Sequence, residues 1–163
     1  SFYWNFGYYN QAYAIMRQSL KNDSTYFTGL LWGWHYATQL GDSAQSAVYL
    51  RQLEGIDRSN PVVREFRTMT MIADSIRRSS SPARRSELRL AIARSYQTVD
   101  LPEEAIDEAQ RTTRENPSSI GAWLFQARLF EARKAERAAR YAYQQVLKLD
   151  PGNALAASKV KPE

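Results

Sequence analysis

The chain predicts an all-α fold of stacked antiparallel helix pairs, and three features of its sequence predict it. First, the stretch from Ser86 to Asn153 repeats at a fixed interval. Pro117 and Pro151 stand 34 residues apart, and the same step pairs Ala105 with Ala139, Tyr96 with Phe130, Ala93 with Ala127 and Leu90 with Leu124. A repeat of this length is one supersecondary unit that buries its apolar face by stacking on a neighbour. Second, each copy holds two stretches with apolar residues at helical spacing, each about thirteen to sixteen residues long and joined by a short turn. Third, each copy ends on Pro, which cannot continue a helix and suits the start of the next.

The two copies can be followed position by position. The later one carries Trp123, Ala127, Phe130, Ala139, Tyr143 and Pro151, with Gln126 where Leu is usual. The earlier one carries Ile92, Ala93, Tyr96, Ala105 and Pro117, with Arg89 at the Trp place and Ala109 at the large aromatic place of the second helix. A small residue on each helix lets the backbones approach, and large residues one turn away fill the gap. In this pattern the units resemble tetratricopeptide (TPR) repeats. The resemblance implies a right-handed α-solenoid of TPR-type antiparallel helix pairs, here with one extra unpaired helix. It also implies a binding scaffold and no enzyme.

Read in order, residues 1–24 form a partial TPR-like repeat, with Gly7 ahead of a helical stripe of Ala12, Ile15, Met16, Ser19 and Leu20. Ser1 to Phe6 would then be the end of a first helix whose beginning lies upstream; a frayed arm before a capping helix is the alternative. Residues 25–61 form a divergent repeat: Gly33 and Tyr36 have the spacing of a first helix, Gly41-Asp42 the turn, and Ala47, Leu50, Leu53 and Ile56 a second stripe. Residues 62–85 hold the extra helix, with a stripe of Val63, Phe66, Met69 and Ile72 beside Met71, and then an Arg/Ser linker in which Ser81 is an N-cap and Pro82 sits in the first turn. Residues 86–119 and 120–153 are the two regular repeats, and 154–163 are a cap or tail in which Ala154, Leu155 and Ala157 form a short helix and Lys159 and Lys161 give a polar outer side.

Composition narrows the function classes. With 163 residues, 44% hydrophobic and 24% charged, the chain suits one ordinary ordered domain. No run approaches a membrane span, and there is no secretory leader pattern. The absence of Cys excludes disulfides, thiolate metal sites and cysteine nucleophiles. The lone His35 lies among Trp32, Trp34 and Tyr36, with no carboxylate nearby, as expected of a packed or groove-lining imidazole. No phosphate loop, zinc-protease helix, nucleophile elbow or calcium loop is present. Glu103 and Glu104 fall in the first turn of a helix, where they suit the dipole. No cofactor, metal or catalytic residue is therefore expected. Arg outnumbers Lys 17 to 5, a bias of GC-rich bacterial genomes, and cytoplasm and periplasm both stay open.

Two distributions are uneven. Thirteen of the twenty aromatic residues fall in positions 1 to 49, which reads as repeat core, as a partner surface, or, for Phe2, Tyr3, Trp4 and Phe6, as the interface zone after an upstream membrane segment. Trp32 and Trp34 project from one helix about 200 degrees apart, so one pair cannot bury both. Residues 62 to 99 hold eight Arg against Glu65, Asp74 and Glu87, a local balance of +5 equal to that of the whole chain. A solvated linker is the common outcome of such a run; no recognition motif for nucleic acid accompanies it.

In TPR arrays the first helices line a concave groove, and the resemblance places function there. Leu90 and Arg94 lie on one first helix and Leu124 and Arg128 on the next, 34 residues later, so stacking brings like onto like. Gln97 and Glu131 continue the stripe, and Trp34 joins it from the aromatic half. This wall is expected to take a protein or peptide, in particular an acidic or carboxylate-bearing segment; its rival is that both arginines pair with nearby Glu and bind nothing. The Lys and Asn set of carboxylate-clamp co-chaperones is absent, so no chaperone client is expected. A different class remains open, a soluble appendage of a larger bacterial membrane enzyme such as a glycosyltransferase, with catalysis upstream. Self-association through a helix face at either end is a third reading.

Overall fold

The computed structural model describes the backbone of residues 2–160 and the side chains of Tyr8 and of Asn10 onward. Lys161 and the aromatic side chains of Phe2, Tyr3, Trp4 and Phe6, to which sequence assigned roles, lie outside what is described. Among the described residues there are nine helices and no strand. They are α1 (Phe2–Asn22), α2 (Phe27–Gln39), α3 (Ser43–Asp57), α4 (Pro61–Arg78), α5 (Pro82–Thr98), α6 (Pro102–Glu115), α7 (Ile120–Ala132), α8 (Glu136–Leu149) and α9 (Ala154–Val160).

The chain divides into two compact units, Ser1–Arg67 and Thr68–Glu163. In the first, α1 packs on α2 and α2 pairs with α3. In the second, α5 pairs with α6 and α7 with α8, while α6 packs on α7 and α8 on α9. The extra helix α4 belongs to none of the antiparallel pairs.

All three pairs close with the same turn. Gly41, Asp100 and Lys134 adopt left-handed backbone, with φ of 77°, 59° and 57°. The next residue sends its N–H back over the helix end: Asp42 to the Ala37 carbonyl at 2.8 Å, Leu101 to that of Tyr96 and Ala135 to that of Phe130, both at 2.9 Å. This is the Schellman ending, which satisfies helix carbonyls that otherwise lack donors. Helix starts are local as well. Asp42 Oδ1 accepts the Gln45 N–H at 3.0 Å, Ser81 Oγ that of Arg84 at 3.2 Å ahead of Pro82, and Ser119 Oγ that of Ala122 at 3.3 Å.

Several sequence expectations shift. Helix α1 continues through Gly7, where an earlier helix was expected to end, because an interior glycine costs a helix only about 1 kcal/mol. Ile15, expected in its apolar stripe, is exposed, as is Ile56 of α3. Tyr13 of α1 is buried and meets Tyr49 edge to face at 6.5 Å, while Leu20 of the expected stripe lies against Gly29 of α2. On α4, Val63, Phe66 and Met69 are buried while Met71 faces solvent. In α9, Ala156 is the buried residue and Leu155 is exposed, so the cap presents a face one residue from the one expected.

The register of the first pair also moves. Counted back seven residues from each left-handed turn residue, the positions are Trp34, Ala93 and Ala127, and all three are buried to 1% exposure or less. Trp34, not Gly33, thus occupies the place of the small residue in the regular repeats. Gly33 stands beside it, and a Cβ there would come within 3.1 Å of the Tyr49 ring.

The core of the last pair is Ala127, Ala142, Tyr143, Val146 and Ala156, with Trp123, Leu124 and Leu147 packed against it. Ala139 of α8, at the place of a small residue in the repeat, is 4% exposed. Ala139→Leu is expected to lower stability by about 1 to 3 kcal/mol through overpacking, read as a lower urea midpoint. An unchanged midpoint would show that no close helix contact exists at that position.

Candidate functional site

The expected wall lies on α5 and α7, and the structure separates its residues into two kinds. Arg94 and Arg128 are both exposed. The Arg94 guanidinium carbon stands 5.9 Å from the centre of the Phe125 ring, within reach of a cation–π interaction. Phe125 is half-buried and lies three residues before Arg128, hence on the same face of α7. Sequence reasoning missed Phe125, although it directly follows Leu124. Gln97 is exposed, and its backbone carbonyl accepts the Asp100 N–H at 3.2 Å in the turn.

Of the two leucines expected to give the apolar contact, Leu90 is buried and Leu124 is partly buried. Leu90 is 7% exposed, and its Cδ1 lies 3.8 Å from where a Cβ on Gly121 would stand. Leu124 packs on the cluster that contains Ala156 of α9. Helix α7 lies against Leu90, and Leu124 stays partly buried beside the cluster that α9 joins. Phe125 is partly buried as well, with the Arg94 guanidinium over its ring.

Trp34 leaves the candidate surface altogether. It is 1% exposed, and its indole stacks on Phe66 with ring centres 3.8 Å apart and planes 13° from parallel. Trp32, on the opposite side of α2, is 39% exposed and stacks on Tyr36 at 5.7 Å. The two indoles divide between core and surface, as their angular separation requires, and the surface one is Trp32. His35 is buried, with its ring 5.7 Å from that of Trp32.

Glu131 acts as a tie between helices. Its carboxylate accepts the Tyr143 hydroxyl at 2.8 Å and the Lys159 ammonium at 2.6 Å, joining α7, α8 and α9. The hydrogen bond from Lys159 and then that from Tyr143 hold its carboxyl below the usual range. Burial first, then the same carboxylate, push the Tyr143 hydroxyl up to about 12.

The arginine-rich segment is largely paired within the chain. Arg67 bonds Glu54 in the first unit. In the second, Arg77 bonds Asp74, Arg84 bonds Glu87 at 2.9 Å, and Arg85 donates to the Ser79 carbonyl at 3.1 Å. Arg89 reaches Glu108 at 2.8 Å and Glu115 at 2.7 Å, so the arginine at the Trp place bridges α5 to α6 with an ion triad. Gln126, at a usual Leu place, lies buried with its Oε1 3.1 Å from the Thr113 hydroxyl, which gives it a polar partner on α6.

Among the described residues no helix is long and apolar enough to cross a membrane, and no group of three or more His, Asp or Glu side chains is arranged to hold a metal ion.

No family model matches the chain, and no curated protein matches it. Solved structures do. PilF of Pseudomonas aeruginosa is 16% identical, with 96% of this chain and 76% of that chain covered and a TM-score of 0.50. YrrB, described as a TPR protein with an unusual peptide-binding site, is 12% identical over 93% of this chain and 83% of its own, with a TM-score of 0.44. MamA is 16% identical over 94% and 75%, with a TM-score of 0.44. At these identities the likeness is one of fold, and the fold is that of stacked TPR-type helix pairs.

Proposed function

We propose that the chain is a protein-interaction scaffold and that the stripe of Arg94, Phe125 and Arg128, flanked by Gln97, takes a peptide or helix of a partner. The observation that carries this reading is the Arg94–Phe125 contact: an exposed cation held over a partly exposed ring, with a second exposed arginine on the same face of α7. Such a surface suits a segment that brings a carboxylate beside an apolar side chain. Arginine offers a carboxylate two parallel donors, and the ring offers contact area at low entropy cost.

Selection of a random peptide library on the immobilised chain tests it. Enriched peptides are expected to carry Asp or Glu next to an apolar residue. Their affinity should fall by about tenfold or more with Arg94→Ala and Arg128→Ala combined, since each lost charged hydrogen bond is worth about 1.5 to 3 kcal/mol. Equal binding to the double variant would remove the stripe from the site.

A further inference from the structure

Each regular pair presents an edge made of its left-handed turn and the first turn of its second helix, and the two edges carry opposite charge. Asp100 and Lys134 occupy the same backbone position 34 residues apart, with φ of 59° and 57°. Three residues on, Glu103 of α6 corresponds to Arg137 of α8. The acidic edge continues to Asp107 and the basic edge to Arg140, and all six side chains are exposed.

The basic edge borders two clefts along α8, of about 380 and 330 Å³, which share Glu136 and Arg140. Lys134 and Lys159 line the first and Arg137 the second. Lys159 is held by Glu131, whereas Lys134, Arg137 and Arg140 have no ion-pair partner among the described residues. On the acidic edge, partial desolvation and then the charges of Glu104 and Glu103 raise the Asp107 carboxyl against the opposing charge of Arg114. The two edges already meet once inside the chain, where Arg133 pairs with Glu103, whose side chain stays 64% exposed.

We propose that these edges are a self-association surface, the α6 edge of one copy docking on the α8 edge of a second. Two patches of opposite sign, side by side on one surface, are self-complementary about a two-fold axis, so each copy presents acid to base twice. The carboxylates of Glu136 and Glu131 interleave with the cations of the clefts. That pattern disfavours a phosphate polymer or an anionic membrane, which bind best to an unbroken field of cations, and it matches a partner edge of mixed charge. The residues are separate from Arg94 and Arg128, so peptide binding by the stripe and association through this edge fail independently.

Sedimentation equilibrium of the full chain tests the proposal. At about 100 µM chain and about 20 mM salt, the mass should exceed the 18.7 kDa of one chain and fall back to it at about 500 mM salt, where screening shortens the reach of charge. Two double variants exchange the residues that the repeats already hold at these positions: Lys134→Asp with Arg137→Glu, and Asp100→Lys with Glu103→Arg. Each alone should stay monomeric with unchanged circular dichroism, and an equimolar mixture of the two should restore the dimer mass. A monomeric wild type at low salt would overturn the proposal, as would a dimer untouched by either reversal. Binding of a hexaglutamate peptide to Lys134 and Arg137 of a monomeric chain would also overturn it, by giving the edge a different occupant.

Discussion

Trp34→Ala lowers the stability of the first unit by about 3 to 5 kcal/mol, the range for truncating a large buried aromatic side chain. The indole is 1% exposed and lies flat against Phe66, so its removal opens a cavity beneath α2 and takes away the stacking on the Phe66 ring. The lost stacking accounts for about 0.5 to 1.5 kcal/mol of the total. Urea denaturation followed by circular dichroism measures the effect. Trp32→Ala is the control: its indole is 39% exposed, and the expected loss is a small fraction of the other. A loss at Trp34 no larger than that at Trp32 would mean that the buried and exposed indoles have been interchanged.

Arg89→Ala is the second large effect, at about 3 kcal/mol. The Arg89 and Glu108 side chains are only 12% and 16% exposed, so truncation leaves the Glu108 carboxylate in a poorly solvated place without its cation. Glu115 is 40% exposed and re-enters water at little cost. Burial works against the Arg89 charge, but the hydrogen bonds and charges of Glu108 and Glu115 outweigh it and raise its pKa further above an already high value. The sign for a raised cation is that its stabilisation is complete below the unfolded pKa and is lost only above it. The triad is therefore insensitive to pH around neutrality. Adding Glu108→Gln to Arg89→Ala should recover part of the loss in a double-mutant cycle. If Arg89→Ala alone is silent, the triad is an exposed pair of the ordinary weak kind.

What the sequence shows depends on how far along the chain a cause reaches. The 34-residue interval, the Ser81 cap with Pro82 and the closing prolines are local features, and the helices follow them. The register of the first pair did not follow, because Gly33 and Tyr36 imitate the family spacing one residue out of step; only the turn at Gly41 shows that Trp34 takes the buried place. Leu90 and Leu124 could be set on one face by their spacing, but spacing does not reveal which part of a face the next helix covers. The Arg89 triad was invisible for a different reason: Glu115 is 26 residues away, and an Arg at the Trp place does not itself announce a charge network. Phe125 was passed over because the 34-residue step from Leu90 draws attention to Leu124, the residue before it.

The tie at Glu131 has a kinetic consequence. Helix α9 spans seven residues, too few to persist alone in water, where isolated helices shorter than about 12 to 15 residues are marginal. Its order depends on Ala156 in the core, on Val160 packed beside it and on Lys159 at Glu131, two apolar anchors and one polar one. Amide hydrogens of α9 should therefore exchange through local opening well before those of α7 and α8, and release of Lys159 uncovers Tyr143 without unfolding the pair beneath. Helix α9 thus acts as a latch over Tyr143, with opening in the second unit beginning there.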